Sequence, residues 1–202
     1  MKAKPTLKAK PTLLKINYGC GETKLKGFLN IDIEKSAKPD LICDLRKEPF
    51  PLEDESVSLI QCIHNIEHIE QVHWVKIFCE FRRVLVPEGV LYLAFPEFEK
   101  CAKNFLENFQ GKRDFWRMTL YGRQTYPGDY HVVPMVTSEV VSFLSDCGFH
   151  HIVSAPEPRD YNTFITAKRG KLPETKEIVL GREIFTAVQH QNIKIKKGRR
   201  VL

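Results

Sequence analysis

The sequence predicts an α/β fold of three layers, in which a mostly parallel sheet lies between helices and ends in an antiparallel hairpin. Three observations predict it. From Leu13 onward, short apolar runs alternate with stretches of helical periodicity, the pattern of strands joined by crossover helices. Gly19 and Gly21 directly follow the first apolar run, where absent side chains let a ligand approach the backbone. The last two runs are separated only by the Pro156–Arg159 turn. A link that short cannot make a parallel crossover, so the final strand returns antiparallel.

The elements follow in order. Lys2-Ala-Lys-Pro-Thr-Leu7 is repeated as Lys8-Ala-Lys-Pro-Thr-Leu13. With two prolines and no apolar periodicity, residues 1–12 read as a basic flexible arm. Strands are predicted over Leu13–Tyr18, Phe28–Ile33, Asp40–Cys43, Val57–Ile63 and Val90–Phe95. Gln71–Leu85 has near-helical apolar spacing and stops at Pro87-Glu88-Gly89; a second helix is expected over Glu97–Phe109. Residues 110–136, aromatic and interrupted by glycine and proline, read as an irregular insertion. Thr137 is the expected N-cap of a helix that stops at Gly148. Phe149–Ala155 and Tyr161–Lys168 are the hairpin strands. Residues 13–170 thus form one domain, and 171–202 a basic C-terminal extension.

Composition narrows the class. Hydrophobic residues make up 43% and charged residues 28% of the 202, as in a globular protein. No apolar run approaches the roughly 18 residues of a membrane span, and the basic N-terminus lacks the apolar stretch of a signal peptide. A cytoplasmic location is therefore expected. Cys20, Cys43, Cys62, Cys79, Cys101 and Cys147 are scattered without a CxxC pair, so reduced, mostly buried thiols are expected rather than disulfides or a zinc ribbon. Residues 1–15 carry +5 and residues 171–202 carry +5, against a total of +6, which leaves −4 on residues 16–170. Basic ends of this kind either grip phosphate backbones or are simply solvated.

The chemistry gathers at strand ends. Amides around Gly19 and Gly21 are placed to hold a carboxylate or phosphate. Eleven residues after Gly21, at the end of the next strand, Asp32 is placed to accept hydrogen bonds from two ribose hydroxyls. Asp44-Leu45, ending the third strand, suits an adenine, the acid for its amino group and the leucine for its ring face. Three such features at consecutive strand ends form a rare coincidence. Lys24 stands where a third glycine would complete GxGxxG, which argues against a dinucleotide oxidoreductase. His64, His68 and His73 lack the HExxH pattern, and no metal site is expected.

These segments, Leu14-Lys-Ile-Asn-Tyr-Gly-Cys-Gly21, Phe28-Leu-Asn-Ile-Asp-Ile33, Asp44-Leu45 and Pro49-Phe-Pro-Leu-Glu-Asp-Glu-Ser56, resemble successive motifs of class I S-adenosylmethionine-dependent methyltransferases, most closely the methyltransferase type 11 group. Ile66-Glu67-His68-Ile69 and Phe81-Arg-Arg-Val-Leu-Val-Pro-Glu-Gly-Val-Leu91 resemble two later motifs of that group. The resemblance covers residues 14 to 168 and implies a Rossmann-like sandwich with S-adenosylmethionine as cofactor. It implies that Gly19 and Gly21 line the methionine portion, Asp32 binds ribose, Asp44 and Leu45 flank adenine, and His64 lies near the sulfonium. Asn17 replaces the usual acid before the loop, Ser58 replaces a common Asp, and the Gly21–Phe28 segment leaves room for only one helical turn. Tyr126-Pro-Gly-Asp-Tyr-His131 resembles a segment in a subset associated with surface-glycan pathways; it would put His131 above the methyl as a base. The expected activity is methyl transfer to a small hydroxylated molecule such as a saccharide. RNA, through the basic arms, is the alternative acceptor, and a non-catalytic S-adenosylmethionine-binding or interaction protein the alternative class. Oligomeric state is left open.

Overall fold

The computed structural model describes residues 13–156 and 161–171, and beyond them the backbone of three strands. The arm over residues 1–12 and most of the Pro156–Arg159 turn lie outside the described residues. One seven-stranded sheet organises the chain. Its strands are β1 (Leu14–Tyr18), β2 (Leu29–Asp32), β3 (Leu41–Ile42), β4 (Val57–Ile63), β5 (Leu85–Pro96), β6 (Phe149–Pro156) and β7 (Asn162–Arg169). They lie in the order β3-β2-β1-β4-β5-β7-β6. β1 to β5 pair in parallel, and β7 runs antiparallel to both β5 and β6. The chain reverses its direction of winding between β1 and β4. In such sheets the crevice outside the carboxyl ends at this switch point is where ligands bind. Here those ends are Tyr18-Gly19 and Ile63-His64.

Helices α1 (Trp74–Val84), α2 (Phe98–Leu106), α3 (Arg113–Tyr121) and α4 (Thr137–Asp146) complete the domain. Trp74, Ile77, Phe78, Phe81 and Val84 of α1 sit at i, i+3, i+4 spacing and are fully buried. They meet alternate residues of the strands, Ile16 and Tyr18, Ile60 and Cys62, Leu91 and Leu93, Ile165 and Ala167, in one core with Val140 and Leu144 of α4. Tyr18 packs edge-on against Phe81 at 5.3 Å, and Trp74 against Phe143 at 5.4 Å. A period of two on the strands and of 3.6 on the helix explains why these residues converge.

Five local expectations are corrected. The insertion predicted as irregular contains α3, whose buried side is only Trp116 and Thr119, too thin a stripe to read as amphipathic. The Gly21–Phe28 link forms turns rather than a helical turn. The α1 helix is preceded by a separate 3-10 turn over Gln71–His73, and β5 begins at Leu85 rather than Val90. Its register jumps from Leu85 opposite Val57 to Val90 opposite Leu59, so Val86–Gly89 form a bulge, with Pro87 and Glu88 exposed and Glu88 at a φ of 61°. Thr137 opens α4 as its first residue, after Val136, and makes no cap of its own. Its amide donates instead to Glu97 Oε1 at 3.3 Å, and its hydroxyl donates to Glu97 Oε2. A carboxylate from the end of β5 therefore does the N-cap's work.

Beyond the domain, β8 (Thr175–Leu180), β9 (Glu183–Val188) and β10 (Lys194–Lys197) pair as an antiparallel sheet of three strands. The predicted basic extension contains this meander.

Candidate cofactor and acceptor site

The β1 loop is built around glycine for two reasons. Gly19 has a φ of +70°, which L side chains rarely adopt. A Cβ there would also lie 2.1 Å from Asn65 Nδ2, so the β4 loop closes directly onto the β1 loop. Gly21 differs: nothing lies within 4 Å of where its side chain would begin. The Gly21 amide donates to Asp32 Oδ2 at 2.7 Å, and the Glu34 amide donates to Oδ1 at 2.8 Å. Asp32, 9% exposed, thus ties the glycine loop to the end of β2. Each of its oxygens keeps a second lone pair. Open space over a glycine next to a nearly buried carboxylate fits a ligand with adjacent hydroxyls.

Asn17, in place of an acid, is 5% exposed, and both hydrogens of its amide nitrogen are engaged. Its amide donates to Thr23 O at 2.9 Å and to Asn30 Oδ1 at 3.0 Å. Asn30 accepts from the Leu25 amide at 2.8 Å and donates to Asp40 Oδ2 at 2.9 Å. This amide network fixes residues 23–25 without a helix, a role not legible from Asn17 alone. Ser58 likewise donates to Leu14 O at 3.0 Å, pinning β4 to the start of β1.

At the end of β3, Asp44 accepts from Arg46 Nε at 2.9 Å and Nη2 at 3.0 Å, with Lys47 Nζ at 3.4 Å. The hydrogen bonds from Arg46 hold its carboxyl down at about 2. Leu45 is 1% exposed and points into the core. The structure therefore directs the Leu45 side chain away from the surface, and Asp44 has a cationic partner already in place.

The end of β4 collects the imidazoles. His64 has a φ of +48°; its Nδ1 faces Glu67 Oε1 and its Nε2 faces Asn162 Nδ2, both at 3.3 Å. Val132 N donates to Glu67 O at 2.9 Å, docking the segment that carries His131 onto the β4 loop. His131 is half-buried; its Nδ1 lies 3.0 Å from Thr119 O. His68 Nδ1 lies 2.9 Å from Tyr130 O. The two rings meet edge-on at 4.8 Å. Burial lowers the His131 pKa below the ordinary imidazole value, against the pull of Glu67. Glu67 is completely buried, and its Oε2 has no hydrogen-bond partner among the described residues. His131 also lines a small hollow with Pro96, Thr119, Val133 and Met135.

The loop before His131 is held by Asp129, 3% exposed, which accepts from Thr125 Oγ1 at 2.6 Å and from Thr125 N at 3.2 Å. Gly122 is required there, since a Cβ would lie 2.0 Å from Asp129 O. At the loop's tip, a Cβ on Gly128 would be 4.0 Å from Glu34 Oε1. The loop thus spans from the end of β4 back to the end of β2. Sequence reasoning placed Gly19, Gly21, Asp32, His64 and His131 along this one edge, and the fold brings them there together. It missed Asn30, Glu67 and Glu97, whose neighbours come from distant segments.

Residues 26–93 match the family model described as a methyltransferase domain. No curated protein matches the sequence. Among solved structures, an S-adenosylmethionine-dependent methyltransferase from Archaeoglobus fulgidus is 14% identical with a TM-score of 0.57, covering 79% of this chain and 87% of that one. One from Methanosarcina mazei is 16% identical with a TM-score of 0.55, covering 79% and 93%. A possible histamine N-methyltransferase from Thermotoga maritima is 11% identical with a TM-score of 0.52, covering 80% and 84%. At such identities the likeness speaks for the fold.

Proposed function

We infer that this chain, a class I S-adenosylmethionine-dependent methyltransferase by its fold and by the domain that residues 26–93 match, methylates a small hydroxylated acceptor such as a saccharide. The observation that carries this reading is the shared edge of the sheet. Asp32 and the glycine loop face one end of the crevice, and the polar cluster of His64, Glu67, His68 and His131 forms the other.

When bound, S-adenosylmethionine supplies a methyl group already activated on a sulfonium, so the protein's task is alignment and exclusion of water. Asp32 would hold the ribose and the Gly19–Gly21 backbone the methionine portion, with Asp44 toward the adenine. His64, anchored between Glu67 and Asn162, would border the sulfonium. A hydroxyl acceptor differs from an amine in having a proton to lose as the new C–O bond forms. His131 is the residue we assign to that hydroxyl. Its Nδ1 faces a carbonyl oxygen and so carries the hydrogen, which leaves the Nε2 lone pair for the acceptor.

The test has two parts. S-adenosylhomocysteine should bind the protein and raise its melting temperature. Calorimetry that finds NAD binding and no S-adenosylhomocysteine binding overturns the reading. With an acceptor found by screening hydroxylated small molecules, His131→Ala should cut the transfer rate by about a hundredfold and leave cofactor affinity nearly unchanged. An unaltered rate makes the histidine structural.

A further inference from the structure

We propose that Glu67, His68 and His131 form a binding site for a divalent transition-metal ion of the zinc type. One ligand atom from each residue lies within 4.8 Å of the other two. The set differs from the His64, His68 and His73 grouping that the sequence argues against. The fold turns His64 aside to Asn162 and brings in His131, 63 positions beyond His68, through the Val132–Glu67 backbone bond.

Three features make this a built site rather than a chance cluster. First, both imidazoles are oriented from behind. His68 Nδ1 faces Tyr130 O and His131 Nδ1 faces Thr119 O. A nitrogen facing a carbonyl oxygen has to carry the proton, so each Nε2 presents a lone pair. This is the second-layer arrangement that fixes the tautomer of metal-bound histidine. Second, Glu67 is completely buried with an oxygen that has no partner, a costly condition that a bound cation relieves. Third, the only hydrogen-bond contact described for its carboxylate is His64 Nδ1, at a long 3.3 Å. Two imidazoles and one carboxylate suit zinc, cobalt or manganese better than magnesium or calcium. Three protein ligands would leave positions open for an outside group. Glu88, His150 and His151 also come together, but Glu88 and His151 are exposed, and no buried carboxylate oxygen among the described residues is left unpartnered there.

The proposal deepens the reading above and rests on it only for its consequence. With the ion bound, the His131 Nε2 lone pair would be engaged by the cation instead of accepting the acceptor's proton directly. A hydroxyl bound at an open position would become more acidic and release its proton to water, so His131 would act on the acceptor through the cation. The binding itself can be measured without any acceptor. The full chain, stripped with chelator, is titrated calorimetrically with Zn²⁺ and spectroscopically with Co²⁺. The expected result is one equivalent bound in the micromolar range or tighter, with visible ligand-field absorption for cobalt. Glu67→Gln, which keeps the side-chain shape, and His68→Asn should each weaken binding by about a hundredfold. A His150→Ala/His151→Ala variant should leave that equivalent intact. S-adenosylhomocysteine affinity, read on the same samples, reports the cofactor site and the fold separately. Failure of Zn²⁺ and Co²⁺ to bind below millimolar concentration overturns the metal site alone, as does binding untouched by Glu67→Gln and His68→Asn. Loss of the equivalent in the His150→Ala/His151→Ala variant places the ion on the exposed cluster and overturns it too.

Discussion

Asp32 carries two duties that the sequence separates poorly. Its spacing from Gly21 suggests a partner for ribose, whereas the structure shows it also holding the Gly21 and Glu34 amides. A substitution must therefore disturb the loop and the ligand together. Asp32→Asn keeps the volume but removes the charge, and it turns one acceptor into a donor that faces an amide. Hydrogen bonds to a charged acceptor are worth about 1.5–3 kcal/mol each. S-adenosylhomocysteine affinity should fall at least tenfold (about 1.4 kcal/mol) in a mutant that circular dichroism shows to be folded. An unchanged calorimetric dissociation constant would mean that the end of β2 does not meet the cofactor. The glycines, by contrast, were legible because their need is local. Gly19 requires a positive φ and a bare α-carbon, and a GxG after an apolar run announces both. Glu67 was not, because its isolation is decided by His68, His131 and the burial around it, which only the folded chain assembles.

The strands and most of the helices could be read because their periodicities are imposed by one core. Alternation in β1, β4 and β5 and the 3.6 spacing of α1 are answers to the same buried surface. Where an element buries little, the signal fades, as α3 shows. Caps fail for another reason. Thr137 has the composition of an N-cap, yet the acceptor for its amide comes from Glu97, forty residues earlier. Glu97, 7% exposed, also accepts from Thr163 Oγ1 at 3.2 Å and so joins α4 to β5 and β7. Glu97→Gln should cost about 1–2 kcal/mol, the worth of a lost cap or charged hydrogen bond. That corresponds to a melting point lower by roughly 2–8 °C for a domain of this size. A thermal melt within one degree of the parent would show that α4 is held by its apolar face alone.

At the scale of the whole molecule, the basic charge and the candidate site are divided between different parts of the chain. The +5 on residues 1–15 and the +5 on residues 171–202 flank a middle of net −4, and it is this middle that carries the glycine loop, Asp32 and the imidazoles. No helix among the described residues is long and apolar enough to cross a membrane, so the basic ends have no membrane-spanning helix to flank there. If they serve an RNA acceptor, the affinity belongs to them, since an acidic middle repels a phosphate backbone. A protein from which residues 1–12 and 171–202 are removed should then bind S-adenosylhomocysteine as tightly as the full chain. Any binding of the full chain to a single-stranded RNA probe should fall steeply with salt, by about 0.7 in log K per log salt for each phosphate neutralised, and disappear on truncation. Fluorescence anisotropy at two salt concentrations measures both. RNA binding that survives truncation would move the RNA contact onto the domain and make RNA the acceptor to test first at His131. Absence of RNA binding in both forms leaves the hydroxylated small molecule as the acceptor. Loss of S-adenosylhomocysteine binding on truncation would show instead that one of the removed ends helps to build the cofactor site, and single truncations would tell which.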